Sequence, residues 1–215
     1  MEGIYFGEIH SYNDLNLILA PFVPTPATPQ TNILQVPGRD GYLDLTEANG
    51  EVKYNSRDFS FTFTISQEDD LTFDERLSNV SNALNGKKCK ITLDRDPDFY
   101  WLGRCIVNKH ERNKNIGKIV VKATVEPYKL RQSPSVTSFV LTAEEQTIIL
   151  ENDRMAVVPL IECTDDGAVV GFCDNVYTLS AGTNKILGIR FVEGSNVLTL
   201  SGTGTITFTW QEGAL

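Results

Sequence analysis

The side chains that could carry chemistry are few, and their spacing serves none of the common reactions. His10 and His110 are the two imidazoles available as a general base near neutral pH. No G-x-S-x-G elbow accompanies them to present a serine nucleophile at a strand end. The four cysteines, Cys89, Cys105, Cys163 and Cys173, form no C-x-x-C pair. Zinc sites take ligands at short spacing, so the sequence predicts no metal, no cofactor and buried reduced thiols. Asp94-Arg95-Asp96-Pro97-Asp98 alternates carboxylates but lacks the glycine and distal glutamate of a calcium loop. It reads as a turn at a strand end, and Asp165-Asp166-Gly167 as a hairpin turn. No helical pattern follows Gly202-Thr203-Gly204, so no helix N-terminus stands behind it to hold a phosphate. The expectation is a protein that is not an enzyme.

Binding chemistry narrows in the same way. Nineteen basic and 28 acidic side chains give a net charge of −9, against the basic stripe that phosphate neutralisation needs. Lys109, Arg112, Lys114 and Lys118 cluster, but Glu111 interrupts them and no aromatic side chains interleave, so a solvated hairpin tip is expected. Trp210, Tyr177 and Phe172 could stack on sugar rings, although core packing explains aromatics in strands more economically, so a carbohydrate-binding β-sandwich adhesion module is kept as the alternative reading. No run approaches the roughly 20 apolar residues that span a bilayer, so no membrane insertion is expected. The first eight residues have no basic region ahead of an apolar core, which predicts synthesis in a cytoplasm without a secretory signal.

The elements that must position these residues are mostly strands. Phe59, Phe61, Phe63 and Ile65 alternate with polar residues, so one face is buried and the other wet. Lys88–Asp94 and Lys118–Glu126 repeat the pattern, and Gly103–Asn108 is expected to pair with the latter around a charged tip at 109–115. Phe73, Leu77, Val80 and Leu84 recur at steps of four, three and four, which marks a helix. Thr72 and Glu75 form its capping box, and Gly86 ends it. Farther on, short strands at Val157–Glu162, Ala168–Cys173, Val176–Leu179, Ile186–Phe191, Asn196–Leu200 and Thr205–Gln211 are separated by glycine and aspartate turns, a sandwich pattern.

Charge divides the chain. Residues 1–132 hold 16 basic and 18 acidic side chains, while 133–215 hold 3 and 10. A shift of that size at Arg131-Gln132-Ser133-Pro134-Ser135 predicts two domains, 1–132 and 133–215. Within the first, Ala20–Pro29 carries four prolines in ten residues and should be extended and unable to enter a sheet interior. Val36-Pro37-Gly38-Arg39-Asp40-Gly41 follows as a turn. Pro24, Pro26, Pro29, Pro37, Gly38, Arg39, Asp40 and Gly41 are the candidates for contact with a neighbouring subunit.

Ordered along the chain, several short motifs resemble those of phage distal tail proteins. Phe6-Gly7, His10-Ser11 and Asp14-Leu15-Asn16-Leu17 are similar to the family's opening. Val36 to Thr46, then Tyr54, Arg57, Phe61 and Phe63, follow its next segments. Asn85-Gly86-Lys87-Lys88 and Tyr100-Trp101-Leu102-Gly103-Arg104 match a helix exit and the strand after it. Ser180–Asn184, Glu193–Asn196 and Gly202-Thr203-Gly204 are similar to the second domain.

The resemblance implies a mainly β protein: an antiparallel, sandwich-like N-terminal domain with one packed helix and an extended arm, then a small, trimmed galectin-like sandwich. It implies a structural component of a phage or prophage tail, located at the virion tail tip. In that reading six copies form a ring at the end of the tail tube. Their partners are the tube protein, the tail-associated hub protein and receptor-binding proteins, while DNA only passes through the channel. The second domain would face outward.

Overall fold

A computed structural model of the chain describes residues 2–48, 50–65, 72–113 and 116–215. They form two compact units, Met1–Lys129 with Leu215, and Leu130–Ala214.

The first unit contains β1 (Ile4–Phe6), β2 (Ile9–His10), β3 (Leu17–Leu19), β4 (Ile33–Leu34), β5 (Leu43–Asp44), β6 (Arg57–Ile65), α1 (Phe73–Leu84), β7 (Lys88–Leu93), β8 (Phe99–Asn113) and β9 (Ile116–Val125). Its main sheet runs β2-β1-β7-β8-β9-β6-β3. Alternation decides the faces: Phe59, Phe61 and Phe63 of β6 and Ile119 and Val121 of β9 are fully buried, with Ser60 and Thr62 between the phenylalanines and Val120 between the β9 pair on the opposite face. The sheet curls, for Phe6 of β1 meets Phe61 edge-on at 5.7 Å although three strands separate them along the sheet. Helix α1 packs Phe73, Val80 and Leu84 into the same core. Its N-terminus is capped as the sequence predicts. The Thr72 hydroxyl accepts from the Glu75 N–H at 3.3 Å, and the Glu75 carboxylate accepts from the Thr72 N–H at 2.8 Å. Those bonds to Thr72 hold the Glu75 carboxyl below its ordinary range.

One hairpin differs from expectation. Lys109 to Asn113 are not a loop: β8 and β9 stay paired from Gly103↔Val125 to Asn113↔Ile116. A register shift between Val107 and Lys109 absorbs one residue and interrupts the alternation there, which hides the continuing strand from a period-two reading. The tip residues 114–115 and the Lys109 and Arg112 side chains lie outside the described set.

The second unit contains β10 (Lys129–Arg131, at the junction), β11 (Ser135–Val140), β12 (Gln146–Asn152), β13 (Leu160–Cys163), β14 (Ala168–Phe172), β15 (Asn175–Leu179), β16 (Gly182–Asn184), β17 (Gly194–Ser201), β18 (Thr205–Trp210) and β19 (Gly213–Ala214). Two four-stranded sheets, β11-β18-β13-β16 and β12-β17-β14-β15, close over Ile161, Val170, Leu198, Leu200, Ile206 and Phe208. Ile186–Phe191 is not a strand. Val157 and Phe191 exchange backbone bonds as an isolated bridge, and the segment drops Ile189 and Phe191 into the core. Apolar spacing meant for the interior thus belongs to a loop. The strands β11 and β12 carry apolar side chains on both faces (Val136 and Val140 outside Phe139, Ile149 outside Leu150), which blurs their alternation in sequence.

Candidate assembly surface

Of the two imidazoles, the described one, His10, is held in structural contacts. His10 lies at the end of β2 and is 5% exposed. Its Nδ1 accepts the Asn13 N–H at 3.0 Å, so the neutral tautomer presents Nε2–H to both Asp94 carboxylate oxygens at 3.2 Å. Asp94 also accepts the Gly3 N–H at 2.7 Å, tying the N-terminal strand to the turn after β7. A general base needs a lone pair aimed at substrate, and neither ring nitrogen has one to offer. A Cβ at residue 3 would stand 2.5 Å from His10 Nε2. Gly3→Ala is therefore expected to cost about 1–3 kcal/mol by overpacking, read as a lower midpoint in urea unfolding. The His110 side chain lies outside the described residues.

The thiols match the expected burial only in part: Cys105 and Cys163 are buried, but Cys89 is half-buried and Cys173, at the turn after β14, is exposed. Cys105 and Cys89 sit on adjacent strands with sulfurs 3.9 Å apart, and all four cysteines are free. The bond to Cys89, together with burial, pushes the Cys105 thiol far up and keeps it protonated. Burial also raises Cys163. Among the described residues no three His, Cys, Asp or Glu side chains gather as metal ligands. In the second unit Trp210 and Phe172 are buried, Trp210 standing edge-on to Phe191 at 5.4 Å, and Tyr177 is half-buried against the same core. The rings considered for sugar stacking are core residues.

What projects instead is the segment from residue 20 to residue 56. It begins as a continuation of the β3–β6 ladder, with the Ala20 N–H on the Thr62 carbonyl at 2.9 Å. Its root is fixed by aromatic packing and two arginines. Phe22 meets Phe61 at 4.5 Å, and the Arg95 guanidinium donates to the Phe22 carbonyl at 2.8 Å. Arg57, 6% exposed, donates from Nε to the Thr25 carbonyl at 2.6 Å and from Nη1 to the Pro127 carbonyl at 3.2 Å. Its guanidinium also lies 5.4 Å from the Phe59 ring centre and 5.8 Å from that of Trp101.

Beyond the root the two legs remain paired while leaving the core. The Asn55 N–H donates to Thr28, the Gln30 N–H to Lys53, and Pro29 bridges Tyr54. The legs end as β4 and β5, a two-stranded sheet of their own in the register Ile33↔Asp44 and Leu34↔Leu43. At the tip the Arg39 N–H donates to the Val36 carbonyl at 3.1 Å, with Pro37 and Gly38 between them and φ +82° at Gly38. That is a type II turn, in which proline presets the first corner and only glycine accepts the second without strain. Asp44 accepts from the Thr46 hydroxyl and N–H, which holds its carboxyl below the ordinary range.

The candidate contact residues fall in two places on this arm. Pro24, Pro26 and Pro29 lie along the outgoing leg, Pro24 half-buried and the other two exposed. Pro37, Gly38, Arg39, Asp40 and Gly41 form the exposed tip. The apolar residues that the arm presents are different ones: Val23 is 83% exposed, Tyr42 59%, Ile33 51% and Leu34 50%. Sequence reasoning passed over them because a two-residue strand shows no period. It named Arg57 only as a motif match and gave it no role, although the signal was available: it stands in phase with the inward Phe59, Phe61 and Phe63, where a charge needs partners.

Residues 7–125 match the family described as phage tail protein RIFT-related domain, and the chain belongs to this family of phage tail proteins. Its fold is mainly β, and it is similar along its length to a solved phage protein. The crystal structure of SPP1 Dit (gp 19.1), presented as a paradigm of the hub adsorption apparatus in phages infecting Gram-positive bacteria, superposes with a TM-score of 0.71. The two are 12% identical, and the match covers 98% of this chain and 99% of that one. Among curated proteins, none matches the chain in sequence.

Proposed function

We propose that this chain is a distal tail protein, a non-catalytic connector that closes into a six-membered ring at the end of a phage tail tube. The observation that carries the reading is the arm: a ribbon anchored by Arg57 and Phe22 at its root and presenting exposed Ile33, Leu34 and Tyr42 at its end. An apolar hairpin held away from its own core gains nothing in an isolated subunit and gains burial when a neighbour receives it. Around a closed ring each heterologous contact is repeated by symmetry, so one modest interface is used many times. The fold shared with SPP1 Dit supports the placement at a hub to which the tube, the tail-associated hub protein and receptor-binding proteins attach. In this reading DNA crosses the ring without being bound, the first unit builds the ring, and the second unit, net −7 over residues 133–215, faces outward. No helix among the described residues is long and apolar enough to cross a membrane.

Negative-stain imaging and light scattering of the purified chain, alone and with the hub protein of the same phage, test the reading. Six-fold rings are expected. A monomer at every concentration and in the presence of the hub protein overturns it.

A further inference from the structure

The outward face of the main sheet in the first unit is basic. Lys88 and Lys90 of β7, Arg104 of β8, and Lys118 and Lys122 of β9 are exposed on the side opposite the core. Cross-strand register sets them in rows: Lys88, Arg104, Thr124 and Asp58 in one, and Ile106, Lys122 and Ser60 in the next. Ile106 is 51% exposed in the middle of these cations. Three carboxylates share the face. Asp58 accepts the Thr124 hydroxyl at 2.7 Å, and Glu126 accepts Lys88 at 3.0 Å; Glu111 lies opposite Lys118.

The end of the arm has the opposite character. From residue 33 to residue 47 a single cation, Arg39, stands against Asp40, Asp44 and Glu47. The β4–β5 register puts Ile33 beside Asp44, and alternation puts Tyr42 on that same side. An apolar centre with an acidic rim therefore stands on one surface of this chain, and an apolar centre with a basic rim on another. A ring needs two different surfaces that fit each other, because a heterologous contact never pairs a patch with itself.

We infer that the arm hairpin of one copy docks on the basic outer face of β7, β8 and β9 of the next copy, with Ile33 and Tyr42 against Ile106 and the carboxylates of 40–47 among Lys118, Lys122 and Arg104. The inference rests on the ring reading and names the surface that receives the arm. A second copy suits this face better than DNA. Asp58, Glu111 and Glu126 would repel phosphates, the Tyr100 ring among these cations is covered by Lys90 at 4.2 Å and only 8% exposed, so it offers bases no open face, and an apolar centre with a charged rim is the anatomy of a protein contact.

Charge exchange on the full-length protein tests it. Lys118→Glu with Lys122→Glu, and separately Asp40→Lys with Glu47→Lys, are each expected to weaken assembly at least about tenfold in sedimentation velocity. All four substitutions together should restore most of the loss, and wild-type assembly should weaken as salt rises. Urea unfolding of each variant confirms that it folds. Assembly unchanged in the Lys118/Lys122 variant overturns the inference, as does failure of the fourfold variant to recover. If the Lys118/Lys122 variant assembles normally but loses binding to a duplex DNA probe that the wild type binds, the face belongs to DNA. If substitutions at Ile33 and Tyr42 also leave assembly intact, the arm reading itself falls. If they abolish assembly while the Lys118/Lys122 variant keeps it, only the receiving face proposed here is wrong.

Discussion

Arg57→Ala is expected to destabilise the first unit by about 3–5 kcal/mol and to release the root of the arm. The side chain is 6% exposed and donates two charge-assisted bonds, to the carbonyls of Thr25 and Pro127. Bonds of that kind contribute roughly 1.5–3 kcal/mol each, and truncation leaves two carbonyls without their donor. The guanidinium also lies by the Phe59 and Trp101 rings, so part of the loss is packing and cation–π attraction of roughly 0.5–2 kcal/mol. Burial lowers the Arg57 pKa from its ordinary value, yet a guanidinium stays charged throughout the physiological range. Lysine is a poor substitute, since one ammonium cannot reproduce the planar fork that reaches Thr25 and Pro127 together. The measurement is the urea midpoint of the first transition, paired with limited proteolysis. Cleavage between residues 20 and 56 should accelerate in the variant before the core unfolds. An unchanged midpoint would show that Phe22 and Arg95 hold the root without Arg57.

That arginine also shows where sequence reasoning stops. The period-two pattern of β6 was legible because one of its faces is entirely aromatic and aliphatic, and the same pattern marks Arg57 as inward without naming its partners. Thr25 and Pro127 lie 32 and 70 positions away, and only the folded chain brings their carbonyls to one guanidinium. Helix α1 was readable to its cap because Thr72, Glu75 and the apolar stripe are all local signals. The arm was legible through proline, which cannot donate to a ladder, and through the Pro37-Gly38 corner. Its working residues were not, because exposure is a property of what the chain fails to cover. Ile33 and Tyr42 look like ordinary strand residues until the structure places them off the core. In the second unit core packing was the more economical reading of aromatic residues in strands, and Trp210 and Phe172 are indeed buried there.

Ile33→Asp combined with Tyr42→Asp is expected to abolish assembly while leaving each subunit folded. Both residues belong to the hairpin that forms its own two-stranded sheet, and their side chains are more than half exposed, so the isolated subunit loses little burial. Surface changes of that kind usually move stability by no more than about 0.5 kcal/mol. In a contact the same substitutions replace two apolar anchors by charges that must be stripped of water. Buried aromatic anchors are worth roughly 2 kcal/mol or more, about 30-fold in affinity for each contact. The proposed ring would multiply the penalty, because in it every subunit supplies an arm and every closure needs all of them. Sedimentation velocity should therefore show monomer where rings are expected of the wild type, at an unchanged urea midpoint. The contrast with Arg57→Ala is diagnostic. Loss of assembly with loss of stability traces to the root, whereas loss of assembly alone traces to the surface the arm presents. Rings that persist in the Ile33/Tyr42 variant would mean that the arm is not the contact and that the subunits join through another face of the first unit.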